Sequence, residues 1–212
     1  MAAKTDMKKP IKFFIITVTL VLVGYNSVYF ESLDVKNTAK NAGVFNSVEF
    51  VDQFMGAKLP NLPATDANEL IGSLELDLVG FTAENGRKMG ISNDYYFVVE
   101  GTGEVQAIED EDVILSLIGN SKNKIRIATD FIFGNTIREA TAIANIGDFQ
   151  NTMDFNAISV ALNDKVRTTI VPSFSKEVNI KDTVYFKGGV KVNTKNPTLK
   201  NLRVIPLILN IE

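Results

Sequence analysis

Residues 134–140, GNTIREA, hold the densest set of side chains able to bind a small polar ligand. Arg138 is a cation that can bind a carboxylate through two parallel hydrogen bonds. The glycine that opens the segment lets a backbone approach closely, and Asn135 supplies an amide. The segment GDFQN follows with Asp148 and Asn151. We therefore predict a polar ligand-binding pocket anchored by Arg138 and completed by Asn135, Asp148 and Asn151.

A second interpretation of the same residues stays open. Arg138 and Asp148 could form an internal ion pair that pins a helical block to the rest of the domain. One arginine with neither a histidine nor a second charged partner is weak evidence for a binding site. The structural interpretation therefore needs fewer assumptions than the ligand-binding one.

The composition lacks two residue types on which many catalytic and metal sites rely. The chain has no histidine and no cysteine, so the commonest general base and the commonest metal ligands are missing. We predict a protein that is not an enzyme and that has neither cofactor nor metal. The alternative is a hydrolase of envelope glycans that uses the carboxylates of Asp148 and Glu139.

The acidic run 109–112 lacks the alternating oxygen ligands of a calcium loop, and we predict a solvated hairpin tip there.

Residues 11–30 are predominantly apolar, and their uncharged core, residues 13–25, follows Lys4, Lys8, Lys9 and Lys12. This is the pattern of a membrane-inserting segment with a cytoplasmic basic flank. About 20 such residues can cross roughly 30 Å of hydrocarbon. No small-residue cleavage pattern follows, so we predict an uncleaved anchor; a cleaved signal peptide is the alternative. The predicted organisation is a basic cytoplasmic tail, a transmembrane anchor, a stalk and a periplasmic or extracellular α+β domain, over residues 1–10, 11–30, 31–44 and 45–212.

The net charge of −3 includes four lysines and one aspartate in the first 30 residues, so the exported part is more acidic than the whole. Such a surface does not attract phosphate backbones, and we predict no nucleic-acid partner. The predicted partners are the membrane, through residues 11–30, and a small solute or a transporter subunit.

Hydrophobic periodicity predicts the order of elements in the exported part. The expected helices cover 48–59, 66–74, 136–143 and 154–169, and the last is expected to end before Pro172. The expected strands cover 95–108, 112–117, 124–133, 183–193 and 202–211. The predicted fold is α+β: an OB-like five-stranded barrel with leading and inserted helices. Glycines at 101 and 103 predict a bulge or bend, as do those at 188 and 189. A weak internal duplication leaves open two similar α+β halves.

Four stretches carry a resemblance to a known family: FIFGNTIREA (131–140), GDFQNTMDFNAISVALNDKV (147–166), TVYFKGGVKV (183–192) and VIPLILNIE (204–212). They resemble the predicted periplasmic lipoproteins called domain of unknown function 2291. The resemblance implies a membrane-tethered extracytoplasmic protein, and an accessory role beside a sugar-uptake ABC transporter. Tyr25 stands where many members have the lipid-carrying cysteine, so we expect the apolar segment itself to replace the lipid.

Overall fold

The computed structural model describes residues 13, 14, 16–20, 22 and 45–212. These fall into two units, residues 1–45 and 46–212. In the first unit the described residues from 13 to 22 are helical, and the Thr17 hydroxyl donates to the Phe13 carbonyl at 3.0 Å. No helix within the described ranges has the length and apolar character needed to cross a membrane. The predicted tail, the stalk and the greater part of the predicted anchor lie outside those ranges.

The second unit is built on five strands: β1 (Asp94–Ile108), β2 (Asp112–Leu117), β3 (Lys124–Ala128), β4 (Thr183–Asn193) and β5 (Leu202–Ile211). Strands β1, β2 and β3 form an antiparallel meander. β3 then pairs in parallel with β5, β5 pairs with β4, and β4 pairs along β1. The ring is therefore closed, as the OB-like prediction requires, and the alternative of two similar halves is wrong. Two-residue strands at Thr65–Asp66 and Arg87–Lys88 add to β1.

The predicted strand bounds agree with the structure except at the end of β3. The strand stops at Ala128, five residues before the predicted end, because the chain turns at Phe131, which has φ 48°. Alternating residues of the strands fill the barrel and are almost fully buried; among them are Val99, Val105, Leu115, Ile127, Phe186 and Val204. The period-two pattern of the sequence therefore marks the inner face of the barrel.

Of the two predicted irregularities, one is confirmed and the other lies elsewhere. The register of β4 and β5 shifts between Lys187 and Gly188, and a Cβ on Gly188 would overlap the Ile205 carbonyl oxygen. In β1 the register shift follows Val105 instead of falling within 101–103. Gly103 lets β1 lie close to β2, since an added Cβ would be 2.9 Å from the Leu115 Cβ of β2.

Six α-helices of the second unit precede or connect the strands: α1 (Ser47–Gln53), α2 (Ala67–Leu76), α3 (Leu78–Asn85), α4 (Thr136–Thr141), α5 (Thr152–Lys165) and α6 (Val171–Glu177). Helix α2 contributes Leu70, Ile71 and Leu74 to the barrel core. Helix α4 packs closely on β4, where a Cβ on Gly189 would lie 3.3 Å from the Ala140 Cβ. Helix α3 has no counterpart among the predicted elements.

Pro172 does not end the helical block, contrary to the prediction. A π-helical turn, Val166–Ile170, follows α5, and α6 begins at Val171 with Pro172 in its first turn. Proline is tolerated there because the first N–H groups of a helix lack intrahelical acceptors. The predicted buried stripe of α5 is confirmed at Phe155, Ile158 and Leu162.

Candidate functional site

A cavity of about 500 Å³ opens between the segment after β3, the start of α4 and one face of α5. Its polar wall consists of Asn135, Arg138, Asn156, Ser159, Asn163 and Arg167. Met89, Phe133 and Val160 supply apolar surface. A volume of this size is typical of small-molecule sites, which combine an apolar lining with a few placed polar groups.

Arg138 is the best-connected side chain of the cavity wall. Its guanidinium donates to Glu139 Oε1 through Nε at 2.9 Å and is 2.8 Å from the same oxygen through Nη2. Nη1 donates to the Phe155 carbonyl at 3.0 Å and to Asn156 Oδ1 at 3.1 Å. Nη2 also donates to the Met89 sulfur at 3.9 Å. Four hydrogen bonds and the ion pair with Glu139 therefore engage all three guanidinium nitrogens of Arg138 within the protein.

The charge of Arg138 is compensated inside the fold. Arg138 and Glu139 are 2 % and 4 % exposed, and the Nε of Arg87 is 3.9 Å from Glu139 Oε2. The guanidinium also lies over the Phe155 ring, 3.7 Å from its centroid, in a cation–π geometry. Arg138 thus ties α4 to α5 and orients the Asn156 amide at the cavity wall.

Asn156, Ser159 and Asn163 form a polar stripe on α5. Their spacing of three and four residues places them on one helical face, beside the buried apolar stripe. Asn163 donates through Nδ2 to the Gly134 carbonyl at 2.8 Å, and Gly134 has φ +84°, which favours glycine. This stripe was not part of the predicted site, although its spacing was visible in the sequence.

The Ser159 hydroxyl differs from the other hydroxyls of the helices in its hydrogen bonding. Among the described residues, its Oγ is the one buried side-chain oxygen or nitrogen without a hydrogen-bond partner. Other helical hydroxyls donate to the carbonyl four residues earlier, as Thr141 does to Ile137 at 2.8 Å and Ser173 to Thr169 at 3.0 Å. A buried hydroxyl left unpaired costs about 1–3 kcal/mol, so Ser159 is a group that a ligand in the cavity could satisfy.

Arg167 comes from the π-helical turn at the end of the stripe. Its Nη1 donates to the Ile132 carbonyl and its Nη2 to Asp164 Oδ1. The side chain is 41 % exposed. These bonds use two of the five N–H groups of Arg167. Arg167 therefore keeps free donors that a ligand could reach, and Arg138 does not.

The structure brings together two of the four predicted site residues. Asn135 and Arg138 both line the cavity, and Asn135 Oδ1 accepts from the Tyr96 hydroxyl at 3.4 Å. Burial and the charge of Asp94 raise the pKa of Tyr96, so it is a neutral donor at ordinary pH.

The other two predicted residues lie outside the cavity lining. Asn151 caps α5 by accepting from the Asp154 N–H at 2.8 Å. Asp148 ends a short 3₁₀ turn, where its carboxylate accepts from Asn145 at 3.5 Å. The suggested Arg138–Asp148 pair is therefore replaced by the pair of Arg138 with its neighbour Glu139.

The acidic run 109–112 is the predicted solvated hairpin tip at Glu109, Asp110 and Glu111, which are exposed between β1 and β2, but not at Asp112. Asp112 is buried, and its two oxygens accept from Arg126 Nε at 2.9 Å and Arg203 Nε at 2.6 Å. Glu109 pairs with Arg126 at 2.9 Å. Asp112 thus joins β2, β3 and β5 where the barrel closes, because Arg126 and Arg203 face each other in the parallel register.

A second charged cluster lies on β1 and β4. The buried Lys187 ammonium is 3.0 Å from Glu100 Oε2 and donates to the Leu62 carbonyl at 2.8 Å. The Tyr185 hydroxyl donates to the same Glu100 oxygen at 2.9 Å. Burial, together with this hydrogen bond and the Glu100 charge, raises the pKa of Tyr185 to about 12. Burial acts to raise the pKa of Glu100, but hydrogen bonds from Lys187 and Tyr185 lower it overall.

These features define an α+β protein of the OB class with a polar cavity between its inserted helices. A solved OB-fold protein from Thermotoga maritima MSB8 is similar in fold, with a TM-score of 0.70 and 23 % identity over 80 % of this chain and all of that one. The family described as predicted periplasmic lipoprotein, domain of unknown function 2291, matches residues 18–210. The chain belongs to this family, so its location is periplasmic and membrane-associated. A search of curated proteins gives no match.

Proposed function

We propose that the protein is a non-enzymatic binding protein at the outer face of the membrane, and that the cavity beside α5 receives a small polar solute. The observation that carries the proposal is the buried, unpartnered Ser159 hydroxyl in the cavity wall. A ligand hydroxyl or carboxylate that pairs with Ser159 would recover the desolvation cost of this group. Phe133 and Val160 offer apolar surface on the same cavity.

A thermal-shift and calorimetric screen of monosaccharides, sugar acids and amino acids tests the proposal. Val160 is 59 % exposed, so Val160→Trp can fill the cavity mouth without disturbing the core. We expect this variant to abolish the binding seen with the wild type. Val79→Trp, on α3 at a position 66 % exposed, is the matched control. Equal binding by wild type and Val160→Trp, or no binding in the screen, would contradict the proposal.

The tether is also part of the proposal. The family consists of predicted lipoproteins, but this chain has no cysteine to carry a lipid. We infer that residues 11–30 remain attached and hold the protein as a single-pass anchor with the N-terminus in the cytoplasm. Intact mass and membrane fractionation test this: a mature chain that starts after residue 30 and is released with the soluble fraction would contradict it.

An accessory role beside a sugar-uptake transporter follows from the family resemblance and stays a proposal. Affinity purification of the intact protein from detergent-solubilised membranes should recover transporter subunits. Recovery of no membrane partner would remove this part of the proposal and leave solute binding untouched.

The alternative of a glycan hydrolase has no observation in its favour. The Glu139 carboxylate is engaged by Arg138 and Arg87, and Glu139 does not line the cavity. Asp148 does not line the cavity either. Two carboxyl groups across one cleft are what such a hydrolase needs.

A further inference from the structure

The cavity is rich in hydrogen-bond donors and poor in negative charge. Its ten lining residues include two arginines, three asparagines and one serine, and no aspartate or glutamate. The hydrogen bonds within the protein further decide which polar atoms remain available to a ligand. The chemistry of these atoms identifies a class of ligand.

Three side chains along α5 have hydrogen-bonding atoms that the protein itself does not use. Asn156 accepts from Arg138 through Oδ1, so its Nδ2 with two N–H groups is the atom that remains. Asn163 donates through Nδ2 to the Gly134 carbonyl, so its Oδ1 is left as an acceptor. Ser159, between them, can donate and accept. Each of these three can pair with a hydroxyl group.

Arg167 is the group suited to a negative charge. Arg138 is 2 % exposed and engages all three of its guanidinium nitrogens within the protein, whereas Arg167 uses two of its five N–H groups and is 41 % exposed. It follows Asn163 by four residues and therefore stands one turn further on the same helical face. Free guanidinium N–H groups bind carboxylates through charge-assisted hydrogen bonds.

We infer that the cavity binds a small sugar acid. Its carboxylate pairs with Arg167, its hydroxyls pair with the Asn163–Ser159–Asn156 stripe, and its apolar ring face packs on Phe133. The inference rests on the proposed solute-binding function and names the chemical class of the solute. It also makes Arg167, rather than Arg138, the residue that determines ligand specificity.

Matched pairs of sugars test this on the full-length protein in mild detergent. D-glucuronate and D-galacturonate differ from glucose and galactose at one carbon, where a carboxylate replaces a hydroxymethyl group. We expect each acid to bind at least tenfold more tightly than its neutral partner by calorimetry, because charge-assisted hydrogen bonds have free energies above the 1.4 kcal/mol that corresponds to a tenfold change. Arg167→Gln should remove that preference and change the affinity for neutral sugar less than twofold.

Two controls separate recognition from folding. Lys165→Gln removes a cation from the end of α5 outside the cavity lining and should leave the preference intact. Arg167→Lys keeps the positive charge and should retain part of the preference for the acids. Added salt should weaken the binding of the acids and leave that of the neutral sugars unchanged.

The outcomes distinguish the inference from the proposed function. Equal affinity for acids and neutral sugars, or equal loss of both in Arg167→Gln, overturns the sugar-acid inference and leaves solute binding in place. Binding of none of the four sugars overturns the inference and removes support from the proposed function as well.

Discussion

Arg138→Ala is the substitution whose effect the structure predicts most directly. The side chain is 2 % exposed and its buried partner Glu139 is 4 % exposed. Alanine would leave the Glu139 carboxylate buried with only Arg87, 3.9 Å away, and would remove the hydrogen bond from Arg138 to the Phe155 carbonyl. Removal of one member of a buried ion pair costs about 3–5 kcal/mol. Since domains unfold with about 5–15 kcal/mol, the variant should lose a large part of its stability.

Urea unfolding of the full-length protein in mild detergent, followed by circular dichroism, measures this loss. Lys165→Ala is the control, because its pair with Asp52 is exposed on both sides, at 37 % and 52 %, and should cost less than about 1 kcal/mol. The double variant Arg138→Met/Glu139→Leu should recover part of the loss, since it leaves no charge of this pair buried.

The reasoning would be refuted by a stable Arg138→Ala. A loss below about 1 kcal/mol, equal to that of the exposed Lys165 control, would mean that the Arg138–Glu139 pair does not hold α4 to α5. If such a stable variant also lost solute binding, Arg138 would be a ligand anchor, as the first interpretation of the sequence proposed.

Three further predictions concern the barrel and are read out by urea or thermal unfolding. Asp112→Ala should cost about 1–3 kcal/mol, because Arg203 then loses its carboxylate partner and Arg126 keeps only the exposed Glu109. Gly188→Ala should cost roughly 1–3 kcal/mol through overlap with the Ile205 carbonyl, whereas Gly72→Ala, with open space around it, should be neutral or stabilising. The raised pKa of Tyr185 stabilises the fold below pH 10.0, and this contribution should be lost as the pH rises towards about 12; Tyr185→Phe should lack this loss.

Each of these has a contradicting result. A tolerated Asp112→Ala would mean that the barrel closes without the ion pairs. Equal melting temperatures for the Gly188 and Gly72 variants would mean that the bulge can relax around a methyl group. The same alkaline unfolding curve in Tyr185→Phe and wild type would assign the alkaline transition to other groups.

The strands were predictable because the sequence pattern that marks a strand lies within the strand itself. Alternating burial along a strand needs only a period of two in the sequence, and β1, β2, β4 and β5 lie within one residue of their predicted bounds. The order of strands and helices was also sufficient to predict a five-stranded ring. Pro172 misled the prediction because its effect depends on the π-helical turn before it, and such a turn has no strong sequence pattern.

The candidate site was predictable only in part. Arg138 and Asn135 were recognised by residue type, but their partners depend on which segments meet in space. The carboxylate beside Arg138 belongs to Glu139 and not to Asp148, which lies in a 3₁₀ turn. The separation of two residues along the sequence does not determine whether their side chains meet in space.

The sequence by itself determined the barrel order and an apolar, lysine-flanked N-terminal segment in a chain without cysteine, since these depend on composition and periodicity. The family followed from the resemblance of four stretches of the chain. Only the tertiary structure decided which polar atoms are satisfied. Hydrogen bonding depends on which groups are neighbours in space. The bonds of the Arg138 guanidinium, the unpartnered Ser159 hydroxyl and the remaining donors of Arg167 therefore became visible only once α4 and α5 were packed together.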